Sequence, residues 1–378
     1  MLNLKSIWFW QRFVSPHKSF LADELGNLVV EVNYVSNELM SKERKKMGWN
    51  STKLKNANLY IKKNTNSLKK LVSSIPNDSV HLCQGIRSNG LVSTVQRFLK
   101  KQKITYWVFM EKVENKGIIG LIKRILYRLL LFKFKKNLKG ILAIGSGSDT
   151  WYSQQGFNKK KIYPFAYFMS DSISKTKLPN KKNNIFKFIF VGQLIKRKKV
   201  DSIFKVLAQV KKKNFELHIF GDGPLKQKLK NQANQLLPGR VKWFGSIPIK
   251  NIPKKIASAD CLLLPSRHDG WGSVVSESLM VGTQVICSDS CGASVAVKSS
   301  RTGGIFLEDN IENFLKIIKK VLRKGCITNL RRKRLKKWAK CLGAKEGAKY
   351  LYNILLFDIG MVNRPKPPWI KNDTNRLF

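Results

Sequence analysis

The sequence lacks an uninterrupted apolar run of the roughly 20 residues that a membrane-spanning helix needs. Its most apolar stretch, residues 118–134, is broken by the cations Lys123, Arg124, Arg128 and Lys133. No apolar run near the start of the chain is long enough for a secretory signal peptide. We therefore expect a cytoplasmic protein, and peripheral attachment to the inner face of the cell membrane stays open.

The six cysteines include no C-x-x-C pair, and the four histidines are scattered along the chain. Disulfide frameworks and zinc sites need tighter or paired spacing, so neither is expected. Most of the cysteines stand inside apolar runs, where we expect them to be small buried side chains. The sequence also has no Asp-x-Asp motif of the kind that holds Mg²⁺ against a diphosphate. We therefore expect no metal site and no bound cofactor.

Acidic residues are few: 23 Asp and Glu stand against 72 Lys and Arg, which gives a formal net charge of +49. Such an excess invites a nucleic-acid partner, but the sequence contains no zinc finger, RNA-binding motif or basic zipper. The cations recur along the whole chain, and most are lysine. Arginine would be the better choice for nucleic acid, because its planar guanidinium forms two hydrogen bonds at once to a base or a phosphate. A nucleic-acid partner is therefore not favoured. Hydrophobic residues make up 43% of the chain, which is enough to build folded cores.

Short apolar runs alternate with segments of helical spacing, a pattern typical of parallel sheets covered by helices on both faces. Strands are predicted at residues 6–14, 28–35, 57–61, 79–83, 105–111, 140–144, 186–191, 215–220, 241–244, 261–264 and 284–287. The pattern predicts an α/β fold with two doubly wound parallel-sheet domains. The predicted segments are a first domain at 1–170, a linker at 171–184, a second domain at 185–345, and a C-terminal helix and extended tail at 346–378.

Three other segments have their own interpretations. Residues 118–136 are apolar with interspersed cations, which fits either a buried helix of the domain or a basic helix on an anionic membrane. We favour the buried helix. Residues 331–340 are a candidate basic surface helix. Residues 364–369 contain three prolines, so we expect an extended tail there.

The segment from Leu264 to Gly282 carries the most informative pattern. A predicted strand ends at Leu264, a loop with two glycines follows, and a helix is expected from about Ser273. Ligands of open α/β sheets lie at the carboxyl ends of strands, where helix N-termini point amide groups outward. Asp269 on the loop and Glu277 in the helix stand eight residues apart, and carboxylates there can hold sugar and ribose hydroxyls. A loop acid followed by a Glu that the helix dipole favours is equally open.

Two other predicted strand ends converge on the same edge, and each is followed by glycines that let the backbone approach a ligand. The first leads into a cationic turn, where Lys198 or a neighbour could neutralise a diphosphate. A solvated charge run and an ordinary turn are the alternatives. Together the three loops indicate a site for a nucleotide diphosphate sugar. The candidate donor-binding residues on these two turns are Gly192, Gln193, Lys198, Gly221 and Gly223.

Several motifs follow one another in a characteristic order. They are Val-Gly-Gln-Leu, Arg-Lys-Lys-Val-Asp, Phe-Gly-Asp-Gly-Pro, Ala-Asp-Cys-Leu-Leu-Leu-Pro-Ser-Arg, and Asp-Gly-Trp-Gly followed by Ser-Glu-Ser-Leu. In this order they resemble the large retaining glycosyltransferase family called group 1, or family four. The resemblance is strong over about residues 185–310, good over 140–168, and weaker over the first 135. It implies the GT-B architecture, two facing Rossmann-like domains with the active site in a cleft between them.

The resemblance implies a role for each residue of the donor site. Glu277 would bind the nucleotide ribose, and Asp269 would face the donor sugar, where an Asp in place of the family's Glu could shift sugar selectivity. Lys198 would hold the diphosphate. Further contacts to the sugar or phosphate would come from the loop residues Gly270, Trp271, Gly272 and Ser273.

The chain departs from the family pattern in two places. Gln193 stands where an arginine is usual, and in the first half no Gly-rich loop follows the first strand. Glu111 stands about where a histidine is common. His17 and His81 are candidates for contact with the acceptor or the donor, and a structural role for each histidine stays open. The missing phosphate charge would be supplied by one of Lys196, Arg197 and Lys199.

We therefore expect a retaining transferase that moves a hexosyl or N-acetylhexosaminyl group from a nucleotide diphosphate sugar to a glycan or lipid-linked acceptor. Its place would be in bacterial surface polysaccharide or glycolipid synthesis. The candidate catalytic residues are Lys198, Asp269 and Glu111, with electrostatic stabilisation of the leaving diphosphate at Lys198. An anionic membrane surface is a further candidate partner. Two alternatives stay open: a nucleotide-sugar epimerase of the same architecture, and a non-catalytic basic module that binds nucleic acid or anionic lipid.

Overall fold

The computed structural model describes residues 4–371 except 30, 47, 50–51, 63, 88, 115–116, 179–183 and 212–213. The chain divides into two compact units. The first unit contains Met1–Ser170 and Gly343–Pro368, and the second contains Asp171–Leu342 and Trp369–Phe378. Residues 343–368 therefore pack with the first unit, whereas the sequence pattern ends the second domain at residue 345 and leaves a separate C-terminal segment.

Seven parallel strands form the sheet of the first unit, in the order β3-β2-β1-β4-β5-β6-β7. The strands are β1 (Ser6–Phe13), β2 (Glu31–Glu38), β3 (Asn58–Ile61), β4 (Val80–Gln84), β5 (Tyr106–Glu111), β6 (Leu138–Ile144) and β7 (Ile162–Phe165). The helices between them are α1 (Pro16–Leu25), α2 (Lys42–Lys46), α3 (Thr65–Ser73), α4 (Leu91–Lys101), α5 (Gly117–Phe134) and α6 (Ser148–Gln154).

Six parallel strands form the sheet of the second unit, in the order β10-β9-β8-β11-β12-β13. The strands are β8 (Phe186–Val191), β9 (Phe215–Phe220), β10 (Val241–Gly245), β11 (Cys261–Leu264), β12 (Gln284–Ser288) and β13 (Gly304–Phe306). The helices are α7 (Val200–Ala208), α8 (Lys226–Leu236), α9 (Ile252–Ala257), α10 (Ser273–Met280), α11 (Ser294–Ser300), α12 (Ile311–Arg323) and α13 (Asn329–Ala339), followed by α14 (Ala344–Asp358) and α15 (Pro368–Lys371). Both strand orders are those of doubly wound Rossmann-like sheets, so the predicted fold class is confirmed.

Apart from the edge strands β3 and β10, most strands are buried on both faces, which explains why their sequences are nearly continuous apolar runs. In β1 every side chain from Ser6 to Gln11 is buried. Trp8 and Trp10 point to one face of the sheet and stack at a centroid separation of 5.8 Å, because alternate residues of a strand share a face. The last strand of each sheet, β7 with four residues and β13 with three, is absent from the sequence prediction.

Helix α14 explains why the C-terminal part of the chain joins the first unit. It packs against α1, and the amide of Ala344, at its start, donates to the carbonyl of Met169 at 2.7 Å. The hydroxyl of Tyr350 donates to the carbonyl of Pro164 at 3.0 Å. These contacts join segments far apart in sequence, so local pattern does not reveal them.

Helix α5 differs from its prediction. Leu131 is buried, but several large apolar side chains on another face of the helix are exposed. The interpretation of residues 118–136 as a buried helix is therefore wrong for that face. No helix in the described ranges combines the length and the apolarity that crossing a bilayer requires.

Helix α13 covers most of the predicted basic surface segment, but one of its cations points inward. The guanidinium of Arg332 is buried and donates to the carbonyls of Ala257 and Ala259 at 3.1 and 2.7 Å. It also lies 3.7 Å from the carboxylate of Asp260. The predicted extended tail likewise ends in a short helix, α15, because Pro368 occupies the first helical position, where a missing amide costs nothing.

Candidate functional site

The strand order of the second unit brings two distant loops together. β8 and β11 are neighbours in the sheet, with Cys261 opposite Phe188, although β9 and β10 lie between them in sequence. At such a switch in strand order the loops that follow the two strands flank a crevice outside their carboxyl ends. The loop after β8 carries Lys198, and the loop after β11 carries Asp269. Topology therefore places the two predicted residues at one edge.

Asp269 lies between two cations in this crevice. The ammonium Nζ of Lys198 is 2.6 Å from its Oδ2, and Nη1 of Arg197 is 3.1 Å from its Oδ1. Arg197 also donates to the carbonyl of His268. Burial alone would raise the pKa of Asp269, but Lys198 and Arg197 outweigh it and hold that pKa below its usual value. These three side chains together carry one net positive charge, which suits an anionic ligand.

The backbone of the cationic turn selects which side chains point inward. Residues Lys196–Lys198 form a single 3₁₀ turn, and Lys199 adopts the left-handed conformation with φ 48°. Lys198 is only 8% exposed, whereas Lys196 is exposed and Lys199 pairs with Asp309. Of the three cations that could replace the family's arginine at the position of Gln193, Arg197 is therefore the one beside Asp269.

The glycines after β8 and β9 hold two loops in backbone contact. A Cβ on Gly221 would lie 1.8 Å from the carbonyl oxygen of Gly192, and one on Gly223 would lie 2.6 Å from that of Leu194. The amide of Gly192 donates to Phe220, and that of Gly221 donates to Gly245. Their N–H groups are thus used within the protein, and the glycines are required for close approach of the two turns.

The loop after β11 is fixed by the loop after β12. The amide of Gly292 donates to the carbonyl of Asp269 at 2.9 Å, and that of Ala293 donates to Trp271 at 2.7 Å. A Cβ on Gly292 would lie 1.9 Å from the carbonyl oxygen of Gly270. Gly272 precedes α10 with φ 85°, and Ser273 is the first residue of that helix.

Trp271 differs from the other candidates of this loop because its side chain is buried. Its indole N–H donates to the hydroxyl of Ser276 at 2.9 Å, and its ring lies 6.0 Å from that of Trp369. A side chain so enclosed positions the loop, and contact with a ligand is left to its neighbours.

Glu277 lies one turn into α10 and is 5% exposed. Burial raises the pKa of its carboxyl to about 7. Among the residues that the structure describes, none forms a hydrogen bond with the side-chain carboxyl of Glu277. A buried carboxyl of this kind is an acceptor for hydroxyls brought by a ligand, because an unpaired buried polar group is costly.

His81 lies in the interior of a strand, whereas the other candidates lie at the end of a strand, on a loop or on a helix. It stands inside β4, its ring is 1% exposed, and its Nδ1 accepts a hydrogen bond from Trp10 Nε1 at 3.1 Å. Burial lowers the pKa of His81 to about 4, so the ring is neutral. His81 is therefore a core residue that accepts a hydrogen bond from a tryptophan, which is the structural role that the sequence left open for it.

Glu111 and His17 are brought together in the first unit by Tyr167. Glu111 ends β5 with its side chain exposed, and its carboxylate accepts a hydrogen bond from the hydroxyl of Tyr167. The ring of His17 stacks on that of Tyr167 at 4.9 Å. Burial, together with Lys18 and Arg44, lowers the pKa of His17 to about 3. The residues follow β1, β5 and β7, at the carboxyl edge of the sheet.

Lys18 completes this cluster, and sequence reasoning missed it. Its ammonium is buried and lies 3.3 Å from the ring centroid of Phe109 and 5.2 Å from that of Tyr167, a cation–π arrangement. Burial lowers the pKa of Lys18 well below its usual value, although Glu111 acts in the opposite direction. The signal available in the sequence was a lysine directly after His17 at the start of a helix.

The described ranges contain no group of three or more His, Cys, Asp or Glu side chains placed to hold a metal ion. The six cysteines form no disulfide, and all are buried except Cys326, which is half-buried.

Comparison with known proteins shows which family the second unit matches. Residues 171–341 match the family model described as "Glycosyl transferases group 1", which confirms the predicted resemblance. An uncharacterized glycosyltransferase of Methanocaldococcus jannaschii is 27% identical over 212 residues, 53% of this chain and 51% of that protein. The lipopolysaccharide 1,6-galactosyltransferase of Salmonella typhimurium is 29% identical over 141 residues, 36% of this chain and 39% of that protein. The chain thus matches about half or less of the length of these curated relatives.

Among solved structures, Anabaena HepE in complex with UDP is similar over 93% of this chain and 99% of that chain, with a TM-score of 0.70 and 13% identity. At that identity the likeness shows the fold alone. It confirms the predicted GT-B class.

Proposed function

We propose that this chain, whose residues 171–341 match the group 1 glycosyl transferases, moves a sugar from a nucleotide diphosphate sugar to a glycan or lipid-linked acceptor. The transferred group is a hexosyl or N-acetylhexosaminyl group, and its anomeric configuration is retained. The reaction belongs to the synthesis of a bacterial surface polysaccharide or glycolipid. Support for the donor and pathway comes from the UDP complex of Anabaena HepE and from the Salmonella galactosyltransferase.

One observation carries this proposal. In the matched region the side chains of Lys198 and Arg197 lie on either side of Asp269, and Glu277 lies in the helix that follows the Asp269 loop. A nucleotide diphosphate sugar offers phosphates for the cations and vicinal ribose hydroxyls for a carboxylate. The arrangement supplies both kinds of partner on rigid elements. This arrangement therefore fits a nucleotide diphosphate sugar better than a polyanion, because binding a polyanion gives no reason for a carboxyl to be buried at the site.

In the proposed reaction the bond between the sugar and the diphosphate breaks, and the leaving group gains negative charge. Lys198 and Arg197 stabilise that charge electrostatically, and Asp269 accepts hydrogen bonds from the donor sugar. The acceptor hydroxyl adds to the oxocarbenium-like sugar on the face that the diphosphate leaves, which retains the configuration. No covalent bond between the sugar and the protein is required.

Glu111 is the candidate of the first unit for contact with the acceptor. Its carboxylate is exposed and is held by Tyr167. His17 is neutral and stacked on the same tyrosine, so it acts through Tyr167 and supports the orientation of Glu111.

The experiment is calorimetric titration of the purified protein with a panel of nucleotide sugars, followed by mass spectrometry of the product with candidate acceptors. We expect one donor to bind and Glu277→Ala to abolish that binding. The matched control is Glu312→Ala, an exposed glutamate in α12 of the same unit, which should bind normally. If no donor binds, or if Glu277→Ala binds as well as the native chain, the proposal is contradicted.

The epimerase and the non-catalytic basic module are distinguished in the same assays. Conversion of a nucleotide sugar in the absence of any acceptor would select the epimerase. Salt-sensitive binding to a nucleic acid without affinity for any nucleotide sugar would select the basic module. No observation on the second unit favours either of them over transfer.

A further inference from the structure

Helix α5 is apolar on two opposite faces. On the inner face Leu131 is buried, and Tyr127, Leu130 and Phe134 pack against the core of the first unit. On the outer face five large apolar residues recur every three or four positions, and at about 100° per residue this spacing places them in one stripe. The α5 stripe consists of Ile118, Ile122, Ile125, Leu129 and Phe132.

The α5 stripe is strongly exposed. Its members range from 55% exposed at Ile125 to 82% at Phe132. A helix on the surface of a globular unit ordinarily turns polar residues outward, because only the inner face is sheltered from water. A continuous apolar stripe on the outer face of an already packed helix marks a surface that binds a partner.

The charges around the stripe identify the partner. Between residues 117 and 134 the chain has no Asp or Glu. At about 100° per residue, Arg128 and Lys133 flank the stripe on its two sides. Long basic side chains can extend their charged ends toward an anionic surface while their stems lie against apolar groups. The other two cations of the helix, Lys123 and Arg124, lie farther round it, more than about 100° from the centre of the stripe.

A second copy of the chain fits the stripe less well than a lipid surface does. Two α5 stripes packed together would bring the same cations face to face, and the helix has no acidic residue to pair with them. A bilayer with anionic headgroups satisfies both features, because its acyl region takes the apolar stripe and its headgroups take the cations.

We propose that α5 is a membrane-docking helix, which lies in the interface of an anionic bilayer with the α5 stripe facing the acyl chains. The helix is about 27 Å long, so it offers several turns of contact parallel to the surface. This inference rests on the first unit alone and does not depend on the proposed sugar transfer.

The test is cosedimentation with phosphatidylcholine vesicles, with and without phosphatidylglycerol. Ile122→Ser/Ile125→Ser/Leu129→Ser removes apolar area and should weaken binding to the anionic vesicles by at least about tenfold. Arg128→Gln/Lys133→Gln keeps the stripe and should reduce the preference for anionic vesicles by about tenfold. The matched control is Leu330→Ser, which removes an exposed leucine from α13, another helix rich in cations. It should bind like the native chain.

Two measurements keep the test decisive. Far-UV circular dichroism and the thermal midpoint report whether each variant is folded. Equal vesicle binding by the native chain, the triple serine variant and the control would overturn the proposal. So would a native dimer in sedimentation velocity that the triple variant converts to a monomer, since a second copy would then cover the stripe. Native binding that ignores phosphatidylglycerol would overturn the anionic assignment.

Discussion

The ammonium of Lys198 lies 2.6 Å from the carboxylate of Asp269, across the switch in strand order of the second sheet. Both side chains are almost enclosed, with 11% and 12% of their surfaces exposed. Two enclosed charges stay stable only if each remains paired, because the loss of one leaves the other without compensation. The pair therefore couples the stability of the loop after β8 to that of the loop after β11.

Replacement of Lys198 should lower both the rate of transfer and the stability of the fold. Lys198→Met should lower kcat by about 100-fold or more, since a preorganised cation at the leaving diphosphate is lost. It should also lower the free energy of unfolding by about 2 kcal/mol, because Arg197 remains beside Asp269 and limits the cost. Urea unfolding and steady-state kinetics measure the two effects.

The control for Lys198 is its neighbour. Lys196 lies in the same 3₁₀ turn but is exposed, so Lys196→Met should change stability by less than about 0.5 kcal/mol. A Lys198→Met variant that is destabilised yet transfers sugar at the native rate would show that the pair is only structural.

Arg197 should supply the charge that is missing at Gln193. Its backbone carbonyl accepts from the amide of Arg267 at 2.8 Å, so the loop stays in place when the side chain changes. Arg197→Gln should weaken UDP binding by about tenfold or more, the usual effect of losing a hydrogen bond between charged groups. Gln193→Arg should restore much of that affinity in the double variant. Calorimetry would contradict this assignment if Lys196→Gln weakened UDP binding as much as Arg197→Gln.

Glu277 should make the fold less stable as the pH rises. Its pKa is raised by burial from 4.5 to about 7, so between these values the folded chain holds a proton that the unfolded chain has released. The free energy of unfolding therefore falls as the pH rises through this window. Glu277→Gln removes the effect and should gain up to about 3 kcal/mol relative to the native chain above about pH 7. Urea unfolding at several pH values measures the gain.

For Glu277→Gln, the stability difference from the native chain at low pH serves as the control for the same difference at high pH. Any fixed cost of the new amide is the same at both ends, so only the change with pH tests the ionisation. A stability difference between variant and native chain that stays constant from about pH 5 to about pH 8 would show that burial does not raise this pKa.

Tyr167 should matter for transfer and leave donor binding unchanged. Tyr167→Phe removes the hydroxyl that donates to Glu111, while the stacking surface for His17 remains. We expect transfer to fall by about tenfold or more and UDP affinity to stay native, because the loss concerns a charged acceptor in the first unit. Tyr60→Phe, at a tyrosine stacked on Trp8, is the matched control. Native transfer by Tyr167→Phe would exclude a role for the Tyr167–Glu111 hydrogen bond.

The loop after β11 was predictable because its signals are local. The spacing of Asp269 and Glu277 across a strand end and a helix start is enough to place one acid on the loop and the other on the helix. The choice of Arg197 among neighbouring cations was not predictable, since it depends on the left-handed backbone of Lys199. The contact of α14 with α1 joins distant segments and leaves no local pattern.

The prediction for α5 failed for a different reason. Apolar residues occur all round the helix, so the periodicity does not show which face the core takes. The sequence left both roles of His81 open, because a histidine in an apolar strand looks the same whether it ends the strand or pairs with Trp10 inside it.

Gly221 should be required for steric reasons as well as for its backbone conformation. A Cβ there would lie 1.8 Å from the carbonyl oxygen of Gly192, and φ is 142°. Gly239 also has a positive φ, 72°, but a Cβ there would meet nothing within 4 Å. Gly239→Ala therefore measures strain alone, and Gly221→Ala should cost about 2 kcal/mol more.

The contact at Gly221 also extends to Lys198 of the candidate site. A Cβ on Gly192 would lie 3.7 Å from Cε of Lys198. Displacement of the Gly192 loop would therefore change the packing around the Lys198 side chain. UDP binding should therefore weaken in Gly221→Ala and stay native in Gly239→Ala. Urea unfolding and calorimetry measure the two effects. Equal losses of stability in the two variants, with native UDP binding in both, would show that the two turns can separate without disturbing the site.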